Sequence, residues 1–260
     1  MRRFSIMLAG ALLTIGASTA AAQAQSPAGV PPEPGRFNVF VNGGFQIASQ
    51  DVTRSTAFPL YEEQAQIDFA QSDIGGGAFW EIGGTYRVRG DLGAGLSYSF
   101  LSSSGNATVN GSIPHPLLFD SFRQLTASAD DLEHKERVVN LFATWHMPLT
   151  ERIDVTFSAG PSFFNISQEF IRSISFSETS PFNEITLDSV ELAAMKQNGV
   201  GFNVGADATY HAMRFMGADL GVGAMIRYTR GTADFDVSDT ESFSVTAGGF
   251  QLGGGIRVRF

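Results

Sequence analysis

From Arg36 to the last residue, single apolar and single polar positions alternate in runs bounded by Gly, Asn, Asp, Ser and Pro. Alternation with period two is the mark of a strand with one buried face. Phe37, Val39, Val41 and Phe45 alternate with Asn38, Asn42 and Gln46, and Trp80, Ile82, Tyr86 and Val88 with Glu81, Thr85 and Arg87. Leu92, Ala94, Leu96, Tyr98 and Phe100 form a third apolar face, and Val139, Leu141, Ala143, Trp145 and Met147 a fourth. Ile153 to Gly160, Val200 to Tyr210 and Leu220 to Tyr228 repeat the pattern, and Leu252, Gly254, Ile256, Val258 and Phe260 complete an eighth run. Each run has roughly the 9 to 11 residues that a tilted strand needs to cross a bilayer. Phe40, Phe79, Phe142, Phe164 and Met225 fall out of step.

The connections alternate as well. Arg89-Gly90-Asp91, Pro148 to Glu151 and His211 to Gly217 are short, whereas Ser49 to Gly75, Ser102 to Glu136, Gln168 to Asn198 and Gly231 to Ser242 are longer and polar. Parts of the long links, such as Gln64 to Gln71, alternate too and are expected to extend the hairpins. The pattern predicts an all-β fold: an eight-stranded antiparallel up-and-down transmembrane β-barrel with short periplasmic turns and long extracellular loops. Pro161 falls inside the fifth strand, where a missing N–H predicts a bulge.

Alternation alone does not say which face meets water, and a lipocalin-like soluble barrel would alternate in the same way. Composition separates the two. Charged residues are 17% of the chain and only two are lysines, Lys135 and Lys196, whereas soluble surfaces use Lys and Glu freely. The Gly, Ser, Thr and Asn of the polar faces suit the narrow interior of a small barrel. Aromatic residues collect at both ends of the runs: Phe37, Tyr86, Trp145, Tyr210 and Phe260 near the short turns, and Phe45, Trp80, Phe100, Phe163 and Tyr228 near the other end. Two such girdles are expected at two membrane interfaces.

The first 24 residues have the form of a secretory signal. Arg2 and Arg3 precede an apolar stretch from Met7 to Ala17, and Ala22-Gln23-Ala24 offers a small-residue cleavage site. An uncleaved N-terminal anchor is the alternative. Cleavage removes two positive charges and takes the net charge from −9 to −11. Residues 25–35 form a Pro-rich tether, and residues 36–260 the barrel domain. The acidic balance argues against a nucleic-acid partner. The absence of cysteine excludes disulfides and thiolate metal sites.

The closing alternation with a terminal aromatic, Leu252, Ile256, Val258 and Phe260, resembles the last strand of Gram-negative outer-membrane proteins. That resemblance implies recognition by the barrel-assembly machinery. From Arg36 onward the chain resembles the small OmpA/OmpX-like and OmpW-like barrels, without a motif that selects a subfamily. A periplasmic peptidoglycan-binding domain of the OmpA type is not expected, because the barrel runs to the final residue. The resemblance implies outer-membrane lipids and lipopolysaccharide as surroundings.

Candidate chemistry is confined to a few clusters. Glu81, Arg87, Asp154, Asp207, Asp219, Arg227, Arg257 and Arg259 occupy inward positions, balanced four against four, and are expected to pair across the lumen. A narrow water path is the competing possibility, since the inward glycines leave space. Some small barrels modify lipid A, and the eight-stranded lipid A deacylase resembles this chain in strand number. Such chemistry needs Ser, His and a carboxylate together. His134, with Ser128, Asp130, Asp131 and Glu133, has those residue types but matches no catalytic spacing, so a solvated loop is expected there. His146 lies near the short-turn end, His211 in a turn, and His115 between Pro114 and Pro116 in a loop. Asp234, Asp236, Asp239 and Glu241 lack the ligand spacing of a Ca²⁺ loop. Arg89-Gly90-Asp91 is expected to be turn chemistry rather than an integrin motif, and three glycosylation sequons, at Asn106, Asn110 and Asn165, carry no weight in the bacterial context that the pattern predicts.

These residues lead to an outer-membrane β-barrel with a structural or surface-interaction role and an interior plugged by polar side chains. A narrow channel for small or hydrophobic solutes is the second reading and a lipid A-modifying enzyme the third. No cofactor, metal site or catalytic residue is expected, and the ligand of the loops is not specified by the sequence.

Overall fold

The computed structural model describes residues 35–47, 50–238 and 241–260. The signal segment and almost all of the Pro-rich tether lie outside the described residues. The described residues form ten strands. In order they are β1 (Phe37–Ile47), β2 (Gln50–Leu60), β3 (Glu63–Ile74), β4 (Gly77–Arg89) and β5 (Leu92–Pro114). Then follow β6 (Phe122–Pro148), β7 (Ile153–Glu178), β8 (Ile185–Phe215), β9 (Ala218–Ser238) and β10 (Glu241–Arg259).

Eight of them close a ring in the order β1, β4, β5, β6, β7, β8, β9, β10, each antiparallel to the next. The ring closes where β1 meets β10, from Asn38 opposite Arg259 to Ile47 opposite Phe250. Backbone bonds from Phe260 N to Phe37 O (2.8 Å) and from Phe37 N to Phe260 O (3.2 Å) continue the ladder to the last residue. Closure leaves no strand edge in the ring, which is what a sheet in lipid requires. The eight runs with period two are these eight strands.

The long links extend the hairpins, as expected for Gln64 to Gln71, and over more of their length than expected. Instead of loops they are mostly continuations of the strands: β5 to β8 have 23, 27, 26 and 31 residues, far beyond the ~10 that a crossing needs. Only His115 to Ser121 separates β5 from β6. The link between β1 and β4 is itself a hairpin, β2–β3, which joins the extension of β5 through Gln66–Ser72 opposite Asn106–Ser112. Its turn is Tyr61-Glu62, both at positive φ. The turn expected at His211 to Gly217 narrows to Met216-Gly217.

The inside-out pattern inverts where the strands leave the belt. On β5, Leu92 and Leu96 point outward and Ser97 and Ser99 inward; beyond Phe100 the inward residues are Leu101, Ala107, Val109 and Ile113. On β6 the outward face changes from Val139, Leu141 and Trp145 to Arg137, Lys135 and Glu133. An extra residue at Asp130-Asp131, opposite the Gly105/Ala107 irregularity, shifts the parity of β6 so that Leu125 and Ala127 still face inward. Asp131 takes φ 60° there, a conformation that aspartate tolerates. Ala65, Ile67, Val109, Ile113, Leu125, Leu132 and Ile171 make the apolar core of this extension.

The out-of-step residues point inward. Phe40, Phe79, Phe142, Phe164 and Met225 are all buried in the ring. Some inward glycines make room for rings: a Cβ at Gly95 would stand 2.2 Å from Cε2 of Phe142, and one at Gly231 2.5 Å from the Phe164 ring.

Pro161 causes no bulge, contrary to expectation. It pairs in register with Phe202 on β8, while toward β6 the rungs between Asn140–Ser162 and Ala143–Ala159 are missing with the register unchanged. The proline removes hydrogen bonds from one ladder and does not displace the strand.

Candidate functional site: the barrel interior

Three polar layers fill the ring. At the short-turn end Asp154 on β7 lies between His211 on β8 and Arg259 on β10, at 2.6 Å from the imidazole Nε2 and 2.9 Å from Nη1. Arg259 Nη2 also reaches Asp219 on β9 at 3.1 Å. His146, buried nearby, has Thr156 Oγ1 2.9 Å from Nδ1 and Thr144 Oγ1 3.2 Å from Nε2. Arg87 makes no side-chain ion pair among the described residues, and its Nε is buried without a partner.

In the middle layer Arg227 on β9 forms an ion pair with Glu81 on β4, across the lumen. Glu81 is fully buried and also accepts 2.9 Å from Asn42 Nδ2. Arg257 on β10 reaches Asp207 on β8, with Nε 3.2 Å from Oδ1 and a second, shorter contact through Nη2. The guanidinium of Arg227 lies 5.9 Å from the Phe142 ring centre and that of Arg257 5.9 Å from Phe40, within cation–π range. The inward phenylalanines therefore pack against the same side chains that carry the charge.

The upper layer was not anticipated as a whole. Glu136 Oε1 is 2.9 Å from His134 Nε2, and its Oε2 accepts 3.2 Å from Gln46 Nε2. Gln168 bonds the other imidazole nitrogen, and Gln251 Nε2 donates to Gln46 Oε1 at 2.8 Å. His134 and Glu136 are 1% exposed, which corrects the expectation of a solvated loop. Continuing the alternation backwards from Val139 would have found them, since His134, Glu136 and Val138 share the parity of Asn140.

The Ser128, Asp130, Asp131, Glu133 and His134 group is not brought together: Ser128 and the three carboxylates face outward and His134 faces inward. His211 lies in β8 rather than in a turn. His115, in the β5–β6 link, is buried and its Nδ1 accepts from Leu117 N at 3.1 Å. Arg89-Gly90-Asp91 is the tight β4–β5 turn, with Gly90 at φ 57°. The side chains of the acidic run Asp234, Asp236, Asp239 and Glu241 lie outside the described ones. Among the described residues no group of His and carboxylates is placed to hold a metal ion.

Little empty space remains. A cavity bounded by Asn42, Thr144, Asp207 and Arg227 has about 40 Å³, and one at the short-turn end beside Arg87, His146 and Asp154 about 20 Å³. Each has room for a few water molecules, since ~10–15 Å³ of such space holds one. At the far end the hairpin tips are tied together. Arg123 on β6 pairs with Glu178 on β7 at 2.6 Å, and Tyr61 in the β2–β3 turn donates to Glu178 at 3.0 Å. That bond to a carboxylate holds the Tyr61 phenol above its ordinary pKa.

The outer wall completes the definition. Val41, Ile82, Leu96, Leu141, Val204, Val222 and Ile256 are all about half exposed or more, and they form one continuous apolar belt. Aromatic residues border it on both sides. Trp145 stacks on Phe157 (5.8 Å) near the short turns, and Trp80 with Tyr98 (5.7 Å) and Tyr228 with Phe250 (5.7 Å) lie toward the long hairpins. Phe37 and Phe45 are eight steps apart, ~27 Å along the strand and ~20 Å when tilted by ~40°, close to the ~25 Å height of an apolar membrane band.

A closed eight-stranded ring with an apolar exterior and a charged, hydrogen-bonded interior has the fold of the small outer-membrane β-barrels. No family model matches the chain, and no curated protein is similar to it. Among solved structures it is similar to the outer membrane protein OprG from Pseudomonas aeruginosa (13% identity, TM-score 0.39, 87% of this chain and 97% of that one). It is also similar to Neisserial surface protein A (14%, 0.35, 86% and 97%) and to the outer membrane protease OmpT from Escherichia coli (11%, 0.45, 90% and 99%). Likeness at this level carries no argument about activity.

Proposed function

We propose that this protein is a plugged outer-membrane scaffold whose barrel anchors a rigid crown of hairpins at the cell surface, in a structural or surface-interaction role. In this reading the short turns and both chain ends face the periplasm and the long hairpins face outward. Residues 1–24 direct export and are removed. Leu252, Ile256, Val258 and Phe260, on the strand that closes the ring, are the segment presented to the barrel-assembly machinery.

One observation carries the plug: the Glu81–Arg227 pair spans the lumen in a layer packed by Phe142, Phe40 and Met225. Opening a water path would require separating that pair, and breaking a buried pair is costly. Conductance in planar bilayers tests it. A silent bilayer is expected for the purified, refolded protein, and a stable open level would overturn the plug.

A second reading, passage of a small hydrophobic solute, is favoured by a cavity of about 90 Å³ within the extension, lined by Thr53, Arg54, Phe69, Ala107, Phe170 and Ile171. Uptake of an apolar probe into vesicles bearing the protein, with no ionic conductance, would select it over the plugged scaffold.

A further inference from the structure

The chain has two lysines, and the fold places both on one row of the outer wall. Lys135 on β6 is opposite Ser167 on β7, and Ser167 is opposite Lys196 on β8. The row beneath it holds Arg137, Asn165 and Asn198. Beneath that lie Val139, Phe163 and Val200, the upper margin of the apolar belt. By strand spacing, Lys135 and Lys196 are ~10 Å apart and Arg137 is ~7 Å below Lys135.

The side chains of Arg137 and Lys196 make no hydrogen bond or ion pair among the described residues, and both are exposed. Lys135 contacts Glu133 on its own strand, an exposed pair that is cheap to exchange. Asn165 and Asn198 hydrogen-bond each other at 2.8 Å and leave further amide donors on the same wall. One step higher the sign reverses, with Glu133 and Glu169 facing outward. On the wall of β6 to β8 an anion would therefore be attracted at the height where the belt ends and headgroups begin.

We propose that Lys135, Arg137 and Lys196 form a clamp for the headgroup phosphates of a phosphorylated glycolipid in the leaflet around the long hairpins. This rests on the outer-membrane orientation proposed above. The belt below receives the acyl chains, the three cations hold the phosphate, and the acidic row caps the site. Three cations within ~12 Å of one another suit a doubly charged group better than a single carboxylate.

The test uses the full barrel, purified in detergent and shown to be folded by its heat-dependent gel mobility. It is titrated with lipopolysaccharide, with enzymatically dephosphorylated lipopolysaccharide, and with inorganic phosphate. Binding of the phosphorylated lipid should weaken about fivefold for each cation removed, so that K135Q/R137Q/K196Q loses about a hundredfold. Arg230→Gln, an exposed cation on β9, should leave it unchanged. The single variant Lys196→Gln gives the same direction if the triple variant does not fold. Wild-type affinity in the folded triple variant would overturn the clamp. Equal binding of the dephosphorylated lipid would reduce the site to acyl contact, and equal binding of inorganic phosphate would make it a free-anion site; either overturns the proposal. Fractionation of the protein away from the outer membrane would instead overturn the orientation, which this titration in detergent does not depend on.

Discussion

Arg257 reaches Asp207 across an intervening strand because position 223, on that strand, has no side chain. A Cβ at Gly223 would stand 2.7 Å from Arg257 Nε and 2.9 Å from Cζ. Gly223→Val is therefore expected to expel the guanidinium from its layer. Arg257 is 1% exposed while the Asp207 side chain is 28% exposed, so the partly solvated carboxylate tolerates the loss better than the buried cation would. The expected cost is about 2 kcal/mol, read from the urea midpoint of the folded barrel, with Asp207→Asn costing more because it leaves the buried guanidinium without its counter-charge.

The Glu81–Arg227 pair is more enclosed. Glu81→Ala leaves a guanidinium buried against Phe142 with no counter-charge and should cost about 3 to 5 kcal/mol. Replacing both residues, as in Glu81→Gln with Arg227→Met, should recover much of that, because neither partner is then left charged. A double-mutant cycle on unfolding checks the coupling. A pair that merely decorates a wet channel would show almost none.

How much of this interior was legible follows from the period. Strand existence, the belt and the inward position of the charged residues all depend on parity, and parity needs only the sequence. Which charges meet does not. Arg87 and Arg259 have equal claims on Asp154 by alternation, and only the stagger of the ring gives Arg259 the contact. The inward phenylalanines were visible as exceptions but not as plugs, because their space comes from glycines on other strands. His134 and Glu136 were missed because the surrounding segment is polar on both faces, so there the apolar signal that marks a strand disappears.

Orientation of the wall can be tested by charge placement. Gly254 faces outward near mid-belt, with only the Gly223 carbonyl near its missing Cβ, at 3.1 Å. Gly254→Asp is expected to cost about 2 kcal/mol and to reduce assembly. The neighbouring Gly255 is no control, since a Cβ there would stand 1.8 Å from Val41 O and any substitution would fail by collision. Ser158→Asp is the proper comparison, because Ser158 lines the interior cavity that Arg227 also lines. Heat-shifted gel mobility after expression should show Ser158→Asp assembling and Gly254→Asp impaired; equal yields would count against the assignment of faces.

Asn203 repairs what Pro161 removes. The proline offers no N–H to β6, and on that ladder the two rungs around it are absent. The Asn203 amide, buried at 1% exposure, points its Nδ2 at this gap. It lies 3.1 Å from Gly160 O, 3.2 Å from Pro161 O and 2.9 Å from Ser162 Oγ, with Leu141 O at 3.5 Å. Asn203→Ala should leave these acceptors short of a donor in a place that water reaches poorly, at a cost of about 1 to 3 kcal/mol. Pro161→Ala alone supplies an N–H facing Leu141 O and should change stability little. In the Asn203→Ala background the same substitution should recover part of the loss, because the restored N–H answers an acceptor that the amide no longer reaches. Hydrogen exchange across Leu141 to Ala143 reads the outcome: faster in Asn203→Ala and slowed again in the double variant. Additive effects would mean that the amide and the proline act independently.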